Sequence, residues 1–218
     1  RRSFTPIAEV PKVMRDAVLA IEDARFYDHS GVDLVGIARA ALAQLSEARS
    51  QGASTITMQV ARNFYLSTEK TVTRKIYEVL LTWKIESQLT KDQILEAYMN
   101  QIFLGQRAYG FAAASEIYFG KPLKDVTVAE AAMLAGLPKG PSIYNPIVNP
   151  KRATARQQHI IDRMVDNGFI SADQAAAART EKLRYRTQSE VAVHAEYVAE
   201  TARQLVFSQY GEESYARG

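Results

Sequence analysis

The chain is predicted to be mainly α-helical, and three observations predict it. Apolar residues recur at helical spacing through most of its length, starting with Met14, Val18 and Ile21. Thr90 with Gln93, Thr127 with Glu130 and Ser171 with Gln174 have capping-box spacing, each at the start of a further helical run. Strand-type alternation is nearly absent, with one short candidate at residues 183–186. The 218 residues, 47% hydrophobic and 23% charged, suffice for one sizeable core with a smaller subdomain.

Element by element, Pro11 suits a first helical turn, and the helix it opens ends near Glu22. A second helix is expected from Asp33, as N-cap, to about residue 45. Residues 46–53 are polar around Gly52 and read as a mobile loop. Residues 55–63 read as a short helix. Residues 71–89 are the strongest amphipathic segment, with Ile76, Val79, Leu80 and Trp83 along one face. Residues 136–150 hold Pro138, Pro141, Pro146 and Pro150 and must form an ordered or extended loop. Helical patterns resume at Lys151 and Ala195, and no repeat or low-complexity tract interrupts them.

Composition removes several classes of function. There is no cysteine, hence no disulfide framework and no thiolate metal site. His29, His159 and His194 are too dispersed for a histidine-rich metal centre. A net charge of +3 argues weakly for acidic partners and does not require nucleic acid. No apolar run approaches the roughly 20 residues that span a bilayer, and no signal peptide is visible. The abrupt start at Arg1-Arg2 fits an excised domain whose anchor lies elsewhere.

The chemistry-bearing residues fall in three blocks. Glu22 and Asp23 end the first helix, with Ile21 and Phe26 able to desolvate one carboxylate and Arg25 able to hold the other ionised. Adjacent helical residues point about 100° apart, so the two acids occupy different environments. A desolvated carboxylate is a general base suited to neutral pH. His29 reads as a structural hydrogen-bonding residue or a catalyst, and Gly31 as the turn after it. In the second block, Ser54 is either a helix cap or, with Thr55 and the helix N-terminal amides, an anion site. Thr55, Gln59 and Arg62 share one helical stripe, a poor core face and a good one for a phosphate or sugar. In the third, Arg74, Lys75 and Glu78 are neighbours on one helix face; with Arg62 and Lys70 they make a cationic cluster around one acid. Such a cluster suits a departing pyrophosphate, while a plain surface ion pair would contribute only about 0.3–0.5 kcal/mol. Ser67-Thr68-Glu69-Lys70 matches S-x-x-K, but its companion motifs are absent and the match is treated as coincidence.

In this order, the blocks resemble the peptidoglycan glycosyltransferase domain of class A penicillin-binding proteins and monofunctional transglycosylases. Glu22, Asp23, Phe26, His29 and Gly31 meet E-D-x-x-F-x-x-H-x-G. Gly52, Ser54, Thr55, Ile56, Gln59 and Asn63 meet G-x-S-T-I-x-x-Q-x-x-K-N, with Arg62 where lysine is usual. Arg74, Lys75 and Glu78 meet R-K-x-x-E. Ile94, Leu95, Glu96, Tyr98, Asn100 and Gly105 meet a fourth motif, and residues 137–146 a fifth.

The resemblance implies a lysozyme-like fold with a large lobe and a small membrane-facing lobe, in residues 1–190. Residues 191–218 would begin a linker towards an absent transpeptidase domain. The implied reaction polymerises lipid II into β-linked glycan with inversion and releases undecaprenyl pyrophosphate. Glu22 would be the general base and Glu78 the second essential carboxylate. Arg62, Lys70, Arg74 and Lys75 would meet the pyrophosphate. Asp23, Phe26, His29, Ser54, Thr55, Gln59, Tyr144 and Asn145 would complete the substrate site. A divalent cation, magnesium or manganese, is expected in some members, with Glu78 the residue placed to hold it; no organic cofactor is implied. Implied partners are lipid II, the growing glycan strand, the membrane surface and other cell-wall synthesis proteins, without nucleic acid. The implied location is the periplasmic or outer face of the bacterial inner membrane. Two rivals remain: a lysozyme-like glycan hydrolase, which needs no phosphate clamp, and a silent membrane-associated binding module.

Overall fold

The computed structural model describes residues 4–35, 54–65 and 72–186. The chain forms two compact units, Arg1–Leu183 and Arg184–Gly218, and the elements below lie in the first. Among the described residues there are eight α-helices, the first two residues of another at Leu34, two short 3-10 turns and no strand, only a single antiparallel bridge between Phe103 and Tyr109. No helix among them is long and apolar enough to cross a membrane.

Helix α1 (Lys12–Glu22) starts directly after Pro11 and buries Met14, Val18 and Ile21, the stripe that its spacing predicts, together with Asp16, Ala17, Leu19 and Ala20. Then come α2 (Ile56–Tyr65), α3 (Val72–Gln88) and α4 (Lys91–Gln101). Helix α5 (Phe111–Phe119) precedes α6 (Val128–Ala135), α7 (Pro150–Asp166) and α8 (Ala172–Thr180). All three predicted capping boxes are present with both reciprocal bonds, at Thr90, Thr127 and Ser171. Each satisfies amide donors that a helix start leaves open.

Helix α6 is the centre of the larger group, with residues 129–135 all buried. Apart from Glu130 it is apolar, as suits a helix surrounded by others, and α1, α5, α7 and α8 pack on it. Its alanines allow close approach, and Leu134, Ile160, Ile161 and Met164 fill the space between α6 and α7. Each such buried side chain contributes about 1.5–3 kcal/mol. The one acid in α6, Glu130, pairs with Lys121 at 2.9 Å and accepts from the Thr127 amide. A second group joins α2 to α3 and α4. The N-terminal segment is pinned to α4: Thr5 N donates to Asn100 Oδ1 at 2.7 Å, and Ile7 N donates to Glu96 Oε2 at 2.8 Å. The polar residues of the fourth motif therefore fasten the chain entry.

Several expectations change. Helix α5 was not legible, because Glu116 is its one charged residue, too little to mark a polar face, and Gly110 and Gly120 bound it without a side-chain cap. Residues 183–186 form no strand. The face of α3 carrying Ile76, Leu80 and Trp83 points outwards, with exposures of 57%, 52% and 53%. The stripe turned inwards is Glu78, Thr82 and Ile85. A stripe headed by an acid can be buried there because Arg62 and Lys75 supply its counter-charge. The second predicted helix begins at Leu34; its remainder, the loop at 46–53, Lys70 with the S-x-x-K match, and the pattern from Ala195 lie outside the described residues.

Candidate active site

Glu22 is the last residue of α1, and its side chain is 12% exposed. Oε2 accepts a hydrogen bond from Gln59 Nε2 at 2.8 Å. Oε1 is buried and makes no hydrogen bond. Burial pushes the carboxyl above its ordinary value, with Asp23 adding to the rise; Gln59, Arg156 and Lys139 pull against it. The negative end of the α1 dipole acts in the same direction as burial. A carboxylate raised in this way, with one oxygen unbonded, is a candidate for a general base.

Asp23 has a different task, as the angular separation of the two acids predicts. Gly31 N donates to His29 Nδ1 at 3.1 Å, so Nδ1 carries no proton. His29 Nε2 then donates to Asp23 Oδ1 and Oδ2 at 2.8 and 3.0 Å. Asp23 Oδ2 also accepts from the Ile56 amide at 3.1 Å, which ties the end of α1 to the start of α2. The residue pairing Asp23 is thus His29; Arg25 reaches Asp33 instead, at 3.2 Å. Phe26 is fully buried, edge-on to Tyr27 and His29, with Lys91 Nζ 4.5 Å from its ring centre. His29 therefore holds the Asp23 carboxylate, and Phe26 packs against the His29 ring.

Thr55 caps α2: its hydroxyl donates to Gly31 O at 2.5 Å and accepts from Met58 N at 3.2 Å. Gly31 itself has φ +88°, and a Cβ there would lie 2.7 Å from Thr82 Cγ2. Ser54, the other capping candidate, accepts from Arg62 Nη2 at 3.2 Å. Thr55, Gln59 and Arg62 share a helix as predicted, but only the last two reach the acids.

Glu78 has no exposed side-chain surface. Arg62 grips it through Nε and Nη2, at 3.1 and 2.9 Å, and Lys75 Nζ donates to Oε1 at 2.8 Å. Burial alone would raise this carboxyl, yet the bonds from Arg62 and Lys75 outweigh it and hold it below its ordinary value. The arginine at position 62 matters here, since lysine cannot present two donors in a fork. Arg62 and Lys75 keep 37% and 52% of their side-chain surface exposed, so both can meet a second anion. Arg74 is half-buried on the same helix. As a metal site the donors do not fit. Both Glu78 oxygens already accept from cations, Oε2 from Arg62 and Oε1 from Arg62 and Lys75, and no group of three or more His, Cys, Asp or Glu able to hold a metal occurs among the described residues.

The loop after α6 and helix α7 supply residues that sequence reasoning missed or placed differently. Lys139 and Arg156 both act on the charge of Glu22, and Arg156 Nη2 stands 3.9 Å from Glu22 Oε1. Tyr144 lies beneath Arg156, 5.7 Å from guanidinium carbon to ring centre. Asn145 is buried, and its Oδ1 accepts from Ile147 N and Val148 N at 2.9 and 3.4 Å, an Asx turn that shapes the loop. Lys139 stood inside the fifth motif; Arg156 had no local signal beyond its place on α7.

The transglycosylase family model matches residues 1–165. The chain belongs to the transglycosylase family. That family's activity is peptidoglycan glycosyl transfer. The chain is 56% identical to penicillin-binding protein 1A of Neisseria meningitidis over 220 residues, all of this chain and 28% of that protein. It is 59% identical over 183 residues to a Cupriavidus necator protein named a transglycosylase, covering 84% of this chain and 79% of that one. Among solved structures, penicillin-binding protein 1A from Haemophilus influenzae superposes with a TM-score of 0.51 at 29% identity, over 98% of this chain and 22% of its own. The fold is accordingly mainly α and lysozyme-like. The chain spans 28% of the length of the Neisseria relatives.

Proposed function

We propose that this domain polymerises lipid II into β-1,4-linked glycan with inversion and releases undecaprenyl pyrophosphate. The observation that carries the proposal is the bridging role of α2. Gln59 holds Glu22 and Arg62 holds Glu78, and the two residues are three apart on one helix. That separation is about 4.5 Å along the helix axis, the scale of one sugar ring. A proton acceptor and a cationic cluster are thereby fixed to one rigid element.

In the proposed reaction Glu22 takes the proton of the acceptor sugar's 4-hydroxyl as that oxygen attacks the donor's anomeric carbon. The new C–O bond forms as the bond to the pyrophosphate breaks from the opposite face, which inverts the centre. The electron pair leaves with the pyrophosphate, whose charge Arg62, Lys75, Arg74 and Lys70 neutralise. Glu78 keeps Arg62 and Lys75 aimed, and no step is assigned to a metal ion. Asp23 and His29 hold the end of α1 against α2, Ser54 steadies Arg62, and Tyr144 lies beside the acceptor end. The exposed Ile76, Leu80 and Trp83 would meet the membrane surface, where the lipid tail of the substrate resides. Residues 1–190 would form the catalytic domain on the outer face of the inner membrane, and 191–218 the start of a linker.

Incubation with labelled lipid II tests this reading. Growth of strands with matching release of lipid pyrophosphate is expected. Shortening of pre-formed glycan without that release would identify a hydrolase, and binding without turnover a silent module.

A further inference from the structure

The two oxygens of Glu22 have unlike surroundings. Oε2 is fixed by Gln59, while Oε1 is unbonded with Arg156 Nη2 3.9 Å away. That separation is too long for a hydrogen bond and short enough for strong charge coupling, since both side chains are only 12% exposed. Arg156 is itself held in place. Tyr144 lies under its guanidinium, and the bare Cα of Gly136 leaves room for its stem: a Cβ there would lie 3.0 Å from Arg156 Cγ.

We propose that Arg156 is a positioning residue for the proton acceptor, keeping Glu22 ionised with Oε1 free of hydrogen bonds until the acceptor hydroxyl arrives. The proposal rests on Glu22 being the base. Burial and the α1 dipole both favour a neutral Glu22, and a neutral carboxyl cannot accept the proton. A counter-charge that touched Oε1 would occupy the lone pair the reaction needs. One set back by 3.9 Å supplies the field without occupying that lone pair. Arginine suits this task because its ordinary value lies far above the working pH range; burial lowers Arg156, and the Glu22 charge works against that lowering.

The groups facing this pair come from several elements. Asp23 follows Glu22 and opposes its ionisation, while Lys139 on the loop after α6 supports it. Tyr98 on α4 feels the Glu22 charge; burial first, and then that charge, push its phenol well above the ordinary value. From α2 only the neutral Gln59 reaches in. One turn along α7, His159 is lowered by burial and then by Arg156 and Arg163, so it is neutral at neutral pH. Arg156 and Lys139 are therefore the cations that hold the Glu22 charge, and Arg156 is the one in the ion pair.

The test is the pH dependence of lipid II polymerisation by the full chain with Arg156→Gln, Arg156→Lys and Glu22→Gln. Removing the counter-charge raises the proton affinity of Glu22, so the acid limb of the rate profile moves to higher pH. Arg156→Gln should lose about tenfold at pH 6 and only about two- to threefold at pH 9. Arg156→Lys should restore most of the profile. Carboxyl-labelled glutamate NMR should show the Glu22 titration displaced upwards in Arg156→Gln, independently of turnover. An equal loss at every pH, or an unmoved Glu22 titration, would overturn the role of Arg156. Full activity in Glu22→Gln would instead overturn the base assignment beneath it.

Discussion

Glu78 offers the sharpest energetic test of the cationic end. Replacing it with glutamine keeps its volume and removes its charge, so the three hydrogen bonds from Arg62 and Lys75 lose their charged acceptor. Each such bond to a charged group contributes about 1.5–3 kcal/mol. The partners' side chains are 37% and 52% exposed and recover hydration, which reduces the loss. The expected cost is about 2–4 kcal/mol, less than the simple sum. For a domain of this size that lowers Tm by about 5–15 °C. The pH dependence has a definite sign. Glu78 is held below its ordinary value in the folded state, so its contribution is present above the unfolded value and is lost as pH falls through the folded one. The gap between the native protein and Glu78→Gln should be full at pH 7 and close as the pH drops below about 4. Calorimetric melts of both proteins from neutral to acid pH measure it. Equal melting at pH 7, or a gap that persists undiminished in acid, would refute the account of how this carboxylate is held.

Other outcomes follow from the same geometry. Glu22 has the opposite sign: its folded value is raised, so its contribution is present below the unfolded value and lost as pH rises through the folded one. Glu22→Gln should therefore melt higher than the native protein at pH 8, with the gain fading in acid; a lower Tm at pH 8 would contradict the buried, strained charge. Gly31→Ala forces a Cβ to 2.7 Å from Thr82 Cγ2 at φ +88° and should cost about 1–3 kcal/mol or more in chemical denaturation. A neutral result there would mean the turn after His29 is looser than described. Replacing Ile76, Leu80 and Trp83 together with serine should change stability by less than about 1 kcal/mol, because all three are exposed. The same variant should lose sedimentation with phosphatidylglycerol vesicles; retained binding would remove that face from the membrane contact.

Much of this architecture was legible because it is local. Caps at Thr90, Thr127 and Ser171 depend on residues three apart, and the stripe of α1 on residues three and four apart. The two acids at the end of α1 were legible as different in role because helical geometry alone separates adjacent side chains. What lay hidden was long-range. Arg156 is 134 positions from Glu22, and nothing near it in sequence signals the pairing. The orientation of α3 was misleading for a related reason: an apolar stripe normally faces inwards, but the partners of Glu78 allow a polar stripe to be buried instead. Thr55 and Asn145 have hydroxyl and amide groups that suit a ligand or a turn equally well, and the fold commits both to backbone.

In the proposed reaction a carboxylate in a dry setting accepts the proton while fixed cations receive the pyrophosphate. The most direct test is the initial rate of polymerisation from labelled lipid II by Glu22→Gln, alongside its lipid II affinity. A rate loss of about 10²–10⁴ is expected, with affinity nearly unchanged. A rate within about threefold of the native protein would contradict it.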